Sequence, residues 1–164
     1  MKNIRIEINF EVFESISELP NSIQILMNKA HEARENAYAP YSNFKVGAAL
    51  QLDSGEIISG NNQENAAYPS GLCAERVAIF HAGATHPNAT ISTMAISAKS
   101  LKNKVTSPVA PCGACRQVLI EYELSQNQPI ELVLKSGDSK IWHFKSIKDL
   151  LPFAFDGITI LKKG

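Results

Sequence analysis

The sequence contains no long apolar run. Its uninterrupted apolar stretches are only a few residues long, whereas a helix that spans a bilayer needs ~20 apolar residues. Residues 1–15 interleave charged and apolar side chains and contain no apolar core of the kind found in a signal peptide. We therefore expect no membrane segment and a cytoplasmic location.

The sequence also has no excess of charge of either sign. Sixteen basic and sixteen acidic residues cancel to a formal net charge of zero. A protein that binds a polynucleotide by neutralising phosphates needs a basic surplus, so nucleic acid is not an expected partner. With 164 residues, 45% of them hydrophobic, the chain can form one domain around one core, and a second full domain is not expected.

Cysteine is scarce, with three residues in the chain. An odd number in a reducing compartment argues against a disulfide framework. Metal binding or redox chemistry is therefore the better interpretation of these cysteines.

The two ends of the chain differ from its centre, residues 22–155. The N-terminal extension, residues 1–21, has apolar side chains at alternate positions: Ile4, Ile6, Ile8, Phe10 and Val12. This period of two predicts a β-strand with one buried face, although the sequence does not show its partner. In the C-terminal tail, residues 156–164, Ile158 and Ile160 predict a short strand that could lie beside it.

The central region predicts an α/β fold. Helical periodicity over 22–39 is followed by a hairpin whose tight turn is Ser54-Gly55. Helices and strands then alternate: helices over 73–83 and 112–123, strands over 91–98, 130–134 and 141–145. We expect a three-layer α-β-α sandwich with a mixed five-stranded sheet, whose last strand is antiparallel. Right-handed crossovers would bring the N-termini of the two later helices to the same sheet edge.

Those two helix starts carry all three cysteines. Cys112 and Cys115 stand three residues apart in the first turn of one helix, and Cys73 opens the other, so the three sulfurs should converge. Three thiolates around Zn²⁺ would leave a fourth position open for water, as in a catalytic site. Two alternatives remain open: a redox pair of Cys112 and Cys115, or a closed structural zinc with a histidine as fourth ligand. The available histidines are His31, His81, His86 and His143.

Three further residues stand close to these cysteines in the sequence. Glu75 follows Cys73 by two residues, so its carboxylate can lie over the open metal position; alternatively it only complements the positive end of the helix. Arg76 and Arg116 could donate hydrogen bonds to the thiolates and so offset the electron donation that weakens zinc as an acid. Alternatively, each arginine is an ordinary exposed helix residue.

Four segments resemble one known family. They are AYAPYSNFKVGAAL (37–50), GNNQENAAYPSGLCAER (60–76), PCGACRQV (111–118) and LLPFAF (150–155). The chain resembles, over 22–155, the cytidine deaminases of the small homotetrameric type. The resemblance implies one Zn²⁺ per subunit, held by Cys73, Cys112 and Cys115, with Glu75 as the proton shuttle. Cytidine and deoxycytidine would be hydrolysed to uridine and deoxyuridine with release of ammonia, a step of pyrimidine salvage.

The same resemblance implies how the nucleoside is held. Asn62 and Glu64 would bind the ribose 3′-hydroxyl, a role suited to an amide beside a carboxylate. Phe44 would pack on the pyrimidine, and the backbone groups of Ala66 and Ala74 would read the base edge. Without the resemblance, these positions would be read as a polar surface loop and ordinary core packing.

The resemblance also implies shared pockets and has limits. Tyr68 and Phe155 would reach into a neighbouring subunit's site in the homotetramer. Gln63 stands where the family often has an aliphatic residue, which alters the packing of the ribose motif. The N-terminal strand pattern and the last residues of the chain lie outside the family core.

Three rival functions remain. A deaminase of another aminopyrimidine is disfavoured by Asn62 and Glu64, which match residues that read an unmodified ribose. A polynucleotide deaminase is disfavoured by neutral charge and by Cys73, where that branch usually has histidine. A non-catalytic zinc-stabilised oligomer that binds a partner through the N-terminal strand would have no need for Glu75.

Overall fold

The computed structural model describes residues 1–157. The helices are α1 (Asn21–Glu35), α2 (Ala74–Thr85) and α3 (Gly113–Gln126). The strands are β1 (Glu11–Phe13), β2 (Phe44–Leu52), β3 (Ile57–Asn61), β4 (Ile91–Ser100), β5 (Glu131–Ser136) and β6 (Ile141–Phe144). Among the helices of this range, none has the length and apolar character needed to cross a membrane.

The strands form one mixed sheet in the order β1-β6-β5-β4-β2-β3. Among the strands of residues 1–157, only β4 and β5 pair in parallel, and β6 returns antiparallel to β5. The sequence predicted the hairpin turn at Ser54-Gly55, where Gly55 adopts a φ of 86°. The expected sheet of five strands is confirmed in type but not in count, because β1 adds a sixth strand to the edge at β6.

The helices cover both faces of the sheet, as expected. On one face α1 packs through Leu26 and Met27 against Ala49 and Val133. On the other face, α2 and α3 bury a larger set of apolar residues, including Ile79, Leu119, Leu50 and Ile96. Since alternate residues of β2 point to opposite faces, Ala49 and Leu50 belong to different layers.

Close approach of α1 to β2 depends on Gly47. A Cβ at this position would lie 2.1 Å from the Ala30 carbonyl oxygen and 2.3 Å from the Arg34 backbone nitrogen. Both are backbone atoms, which cannot move without displacing the helix. A side chain at position 47 would therefore push α1 away from the sheet.

The buried Glu123 joins three segments beneath α3. Its carboxylate accepts hydrogen bonds from the Ile130 N–H at 2.8 Å, the Ile147 N–H at 2.9 Å and the Ser146 hydroxyl at 2.6 Å. The two backbone N–H donors lie in a loop and at the start of a 3₁₀ turn, where no strand or helix hydrogen bond would satisfy them. Glu123 therefore ties α3 to the approach to β5 and to the 3₁₀ turn Ile147–Leu150.

The N-terminal strand is much shorter than its alternating pattern predicts. β1 covers only Glu11–Phe13, and its partner is β6. The predicted strand of this extension is therefore present at Glu11–Phe13, but residues 1–10 are exposed and form no strand, so the expected buried face over Ile4 to Phe10 is not found. The last pair of β1 with β6 is Glu11 with His143, one residue before β6 ends at Phe144. The short strand predicted at Ile158 and Ile160 lies outside the described residues.

The two crossovers position the functional site. The connection β3-α2-β4 passes over β2, and β4-α3-β5 joins adjacent parallel strands. Both helices therefore begin at the same edge of the sheet, as the sequence predicted. Cys73 and Cys112 occupy the N-cap positions of α2 and α3.

Candidate active site

A cavity of about 680 Å³ opens at the N-termini of α2 and α3. This volume lies within the range of small-molecule sites. One wall comes from the sheet and another from the loop between β3 and α2. The cavity is lined, among others, by Tyr41, Ser42, Phe44, Val46, Asn62, Glu64, Tyr68, Leu72, Cys73, Ala74, Glu75, Ile96, Val109 and Cys112.

Three cysteine sulfurs meet at the edge of this cavity. The Cys73 and Cys112 Sγ atoms are 3.9 Å apart, the Cys112 and Cys115 Sγ atoms are 3.5 Å apart, and all three lie within 4.8 Å of one another. Cys115 is buried, whereas Cys73 and Cys112 line the cavity. The convergence that the sequence predicted is confirmed. A thiolate set of this kind fits Zn²⁺, with the cavity side open to a fourth ligand.

Electrostatics within the cluster also favours a bound cation. The hydrogen bond from Cys115, opposed by burial and supported by Arg76 and Cys112, lowers the pKa of Cys73 to about 5. The same contact, together with burial, raises the pKa of Cys115 above its ordinary value. Without a metal, sulfurs this close therefore do not all ionise. A divalent cation removes that conflict, since it binds the thiolate form.

The histidine and redox alternatives find no support in this arrangement. Within residues 1–157, the only group of three or more metal-ligating side chains is that of the cysteines. Two of the candidate histidines have other partners: His86 lies 3.2 Å from Glu56, and His143 lies 2.8 Å from Glu131. Because Cys73 lies beside Cys112 and Cys115, the site contains three thiols rather than an isolated redox pair of two.

Glu75 lies in the first turn of α2, on the cavity wall beside the cysteines. Its side chain is nearly inaccessible, with 6% of the residue surface exposed. Burial, reinforced by the negative charge of Cys73, raises the pKa of Glu75 to about 7. A carboxyl group in such a position is suited to accept and to return a proton.

The predicted ribose residues, Asn62 and Glu64, lie in the loop between β3 and α2, which lines the cavity. The Glu64 carboxylate accepts hydrogen bonds from the Tyr41 N–H at 2.8 Å, the Ser42 N–H at 3.3 Å and the Ser42 hydroxyl. Burial raises the pKa of Glu64, but these hydrogen bonds outweigh it and the net shift is downward. Glu64 is thus held as a carboxylate.

The Asn62 amide is bound to the backbone of β2. Its Oδ1 accepts a hydrogen bond from the Val46 N–H at 2.8 Å, and its Nδ2 donates to the Phe44 carbonyl at 2.9 Å. Asn62 therefore fixes the segment that carries the aromatic ring of Phe44. One amide N–H is left over for a ligand, since the group has two.

The remaining predicted residues divide into two groups. Phe44 and Ala74 line the cavity, as does Tyr68, which is 77% exposed and packs edge-on against Tyr41 with ring centroids 6.2 Å apart. Ala66 and Phe155 are exposed and lie outside the cavity lining of their own chain. Phe155 is held by its backbone, whose carbonyl accepts from Gln117 at 2.9 Å.

The two arginines have different environments. An Arg76 nitrogen lies 3.8 Å from the Cys73 sulfur, in agreement with the predicted contact. The recorded hydrogen bonds of Arg116 instead go to backbone carbonyls: Nε to Pro111 at 2.8 Å and Nη1 to Leu150 at 3.1 Å. For Arg116 the expected contact with a thiolate is therefore not the one observed; it braces the segment just before Cys112.

Sequence reasoning did not single out Tyr41, Ser42 or Val109. The first two stand inside the segment AYAPYSNF and hold Glu64 from 22 to 23 residues away. Val109 lines the cavity and donates its N–H to the Ser136 hydroxyl at 2.9 Å. The family-like segment AYAPYSNF was the only local signal for the tyrosine and serine, and none marked Val109.

This fold and site define a class. A three-layer α-β-α domain carries a cluster of three cysteines, suited to zinc, at two helix N-termini. A buried glutamate lies beside it in a cavity of the size range of small-molecule sites. This is the arrangement of the zinc-dependent deaminases.

Comparison with known proteins identifies the family. Residues 20–128 match the model of the cytidine and deoxycytidylate deaminase zinc-binding region. The cytidine deaminase of Halalkalibacterium halodurans is 46% identical over 132 residues, covering 80% of this chain and 92% of that protein. The cytidine deaminase of Sporosarcina psychrophila is 38% identical over 133 residues, covering 81% and 90%. The chain belongs to the cytidine and deoxycytidylate deaminase family, and its site is that of a hydrolytic, zinc-dependent enzyme.

Solved structures agree with this. A 1.6 Å crystal structure of cytidine deaminase from Burkholderia pseudomallei is 43% identical and superposes with a TM-score of 0.70, covering 80% of this chain and 97% of that one. The cytidine deaminase of Mycobacterium tuberculosis is 32% identical with a TM-score of 0.63, covering 82% and 97%. About a fifth of the present chain falls outside each match.

Proposed function

We propose that the protein hydrolyses cytidine and deoxycytidine to uridine and deoxyuridine with release of ammonia, as a step of pyrimidine salvage. The observation that carries the proposal is the position of Glu75, buried beside the three-cysteine cluster on the wall of the cavity. The relatives' names add support, since both are cytidine deaminases.

Cys73, Cys112 and Cys115 would hold one zinc ion per subunit. Bound there, zinc would supply Lewis acidity, which lowers the pKa of a coordinated water. Arg76 would donate toward Cys73, drawing electron density away from the thiolate. Arg116 would act at one remove, because its two backbone contacts fix the segment that presents Cys112.

Glu75 would move the protons that the hydrolysis requires. Its carboxylate accepts a proton from the attacking water and passes it to N3 of the cytosine ring, while the water oxygen bonds to C4. A second transfer to the exocyclic amino group allows the C4–N bond to break, and ammonia leaves. The products balance as one nucleoside plus one water giving one deaminated nucleoside plus one ammonia.

The cavity wall would orient the nucleoside. Phe44 offers an aromatic face to the pyrimidine, and backbone groups at Ala74 would pair with its edge. Ala66, which lies outside the cavity lining of this chain, would have to move toward the base to pair with it as well. Glu64, held as a carboxylate, and the spare N–H of Asn62 would bind the ribose 3′-hydroxyl from two sides. The Glu64 carboxylate accepts a hydrogen bond from the 3′-hydroxyl, and the Asn62 amide donates a hydrogen bond to the 3′-oxygen.

A homotetramer with shared pockets belongs to the proposal. Tyr68 and Phe155 are 77% and 69% exposed in one chain, and large exposed aromatic side chains are typical of interfaces. Their contacts with a neighbouring pocket would explain why Phe155 lies outside the cavity of its own chain.

Three free cysteines fit a reducing cytoplasmic location. The zero formal net charge gives nucleic acid no basic track.

The substrate assignment is tested by ammonia release from cytidine, deoxycytidine and free cytosine with the zinc-loaded protein. We expect turnover of both nucleosides and little of the free base, because cytosine lacks the ribose that Asn62 and Glu64 bind. Turnover of cytosine at the nucleoside rate would refute the ribose role, and turnover of none of the three would favour another aminopyrimidine or a structural zinc.

A further inference from the structure

The apolar residues of the N-terminal extension form a stripe that the chain leaves exposed. Ile4, Ile6 and Ile8 are 82%, 49% and 47% exposed. Within residues 1–157, the segment 1–10 pairs with no strand. Pairing of β1 with β6 ends at Glu11 and His143. Phe10 stacks on Phe144 with ring centroids 4.9 Å apart, and β6 ends at Phe144.

Residues 2–10 nevertheless have the pattern of a strand rather than of a solvated tail. Isoleucine, a β-branched residue with high strand propensity, occupies every second position from Ile4 to Ile8. The intervening positions carry charges, Arg5 and Glu7, and neither glycine nor proline occurs before residue 20. An extended segment with a free edge and an apolar stripe is a template for pairing with another strand.

We propose that residues 2–10 pair antiparallel with the same segment of a second copy of this chain, about a two-fold axis through Ile6. This register places Ile6 opposite Ile6 of the partner subunit and Ile4 opposite Ile8 of the partner subunit. It also places Arg5 opposite Glu7 of the partner subunit, twice over by symmetry. The apolar stripes of the two copies then lie on one face and the charged pairs on the other.

The charges select this register over its neighbours. A pair centred on Arg5 would place two arginines opposite each other, and a pair centred on Glu7 would place two glutamates opposite each other. A parallel in-register pair would do both. Like charges directly opposite each other destabilise a strand pair, whereas opposite charges stabilise it. In the single chain, Arg5 and Glu7 contact each other at 3.1 Å and both are highly exposed, so both are available for exchange.

The contact would be separate from the deaminase core of the chain. The stripe continues into β1, so residues 11–13 pair with β6 of their own chain while residues 2–10 pair across the axis. The family model begins at residue 20, so the proposed contact uses a segment that it does not include.

Complementation between charge variants tests the proposal. Amide hydrogen exchange of residues 2–10 is measured by mass spectrometry on zinc-loaded full-length protein: wild type, Arg5→Glu, Glu7→Arg, and the two variants co-expressed. Position 5 of one chain lies opposite position 7 of the other, so copies of Arg5→Glu place glutamates opposite each other and copies of Glu7→Arg place arginines opposite each other. When one chain of each variant pairs, both of these positions bring a glutamate opposite an arginine. Zinc content and melting temperature confirm that each variant is folded.

We expect residues 2–10 of the wild type to exchange slowly, each single variant to lose at least ~10-fold of that protection, and the co-expressed pair to regain it. Fast exchange in the wild type, no loss in the single variants, or no recovery in the co-expressed pair would overturn the proposal. Truncation after Gly157 is a further arm. If it abolishes protection, the C-terminal tail covers the stripe and the second copy does not.

Discussion

The Asn62 Oδ1 atom accepts a hydrogen bond from the Val46 backbone N–H at 2.8 Å. The Asn62 Nδ2 atom donates a hydrogen bond to the Phe44 carbonyl at 2.9 Å. Together the two hydrogen bonds connect the loop after β3 to the start of β2. A residue that the family resemblance marks for ribose binding therefore also positions the aromatic wall of the cavity. The amide oxygen and one N–H hold β2, and the second N–H is left for the ribose.

The variant Asn62→Asp keeps the hydrogen-bond acceptor of the side chain and removes its donor, the NH₂ group. Aspartate can still accept from Val46, but it places a carboxylate oxygen against the Phe44 carbonyl and has no N–H for the ribose. We expect kcat/KM for cytidine to fall ~10–100-fold, since one to two such interactions are worth roughly 1–3 kcal/mol. Steady-state kinetics measures this.

The control is Asn65→Asp on the same wall. Asn65 Oδ1 accepts from the Ala67 N–H at 2.9 Å, which aspartate preserves, so the same charge change is made without losing that contact. Equal losses in the two variants would show that added charge, and not the Asn62 amide, is responsible.

Glu64→Gln tests the carboxylate of the ribose motif. A hydrogen bond to a charged acceptor contributes about 1.5–3 kcal/mol, so kcat/KM for cytidine should fall ~10–100-fold. For 3′-deoxycytidine, which lacks the hydroxyl, the variant and the wild type should be nearly equal. If the substitution reduces turnover of both nucleosides by the same factor, Glu64 only supports the Tyr41–Ser42 segment.

Cys112→Ser should abolish zinc binding. Serine offers no thiolate, and two sulfurs alone leave the site short of its three protein ligands. We expect zinc content, measured by plasma mass spectrometry, to fall from about one per chain to ~0.1 or less, with loss of activity. His86→Gln is the control and should keep a full zinc complement. A zinc loss on changing His86 would instead support a four-ligand structural site.

Glu123→Gln should destabilise the fold without touching the site. An amide keeps these contacts only with its oxygen toward the Ile130 and Ile147 N–H groups and its NH₂ toward the Ser146 hydroxyl, which can also accept. Even in that orientation the two N–H groups lose a charged acceptor. We expect a loss of about 1–3 kcal/mol and a melting temperature lower by roughly 3–10 °C. Glu121→Gln, exposed on the same helix, should shift it far less. Equal shifts would contradict the buried role.

How far the sequence alone could predict this structure depends on the range of the interactions. Helix starts at Cys73 and Cys112 follow from local periodicity, and right-handed crossovers are nearly universal in such folds, so the meeting of the three sulfurs was predictable. Family motifs added the residue types of the cavity wall.

The unpredicted features depend on partners distant in the chain. Alternation from Ile4 to Val12 indicated a strand, but how much of it pairs depends on β6, about 130 residues later. The partners of Arg116 are the backbone carbonyls of Pro111 and Leu150. Every residue has a backbone carbonyl, so the sequence does not indicate which ones an arginine will bind. Nothing local distinguishes the buried Glu123 from the exposed Glu121 of the same helix.

The central claim is that Glu75 moves protons at a zinc site that remains intact without it. The most direct measurement compares wild type with Glu75→Gln for ammonia release from cytidine and for zinc content on the same samples. We predict a loss of at least ~10²–10⁴-fold in kcat, the usual contribution of general acid–base catalysis, with zinc still at about one per chain. Near wild-type turnover in the zinc-loaded Glu75→Gln protein would contradict the account.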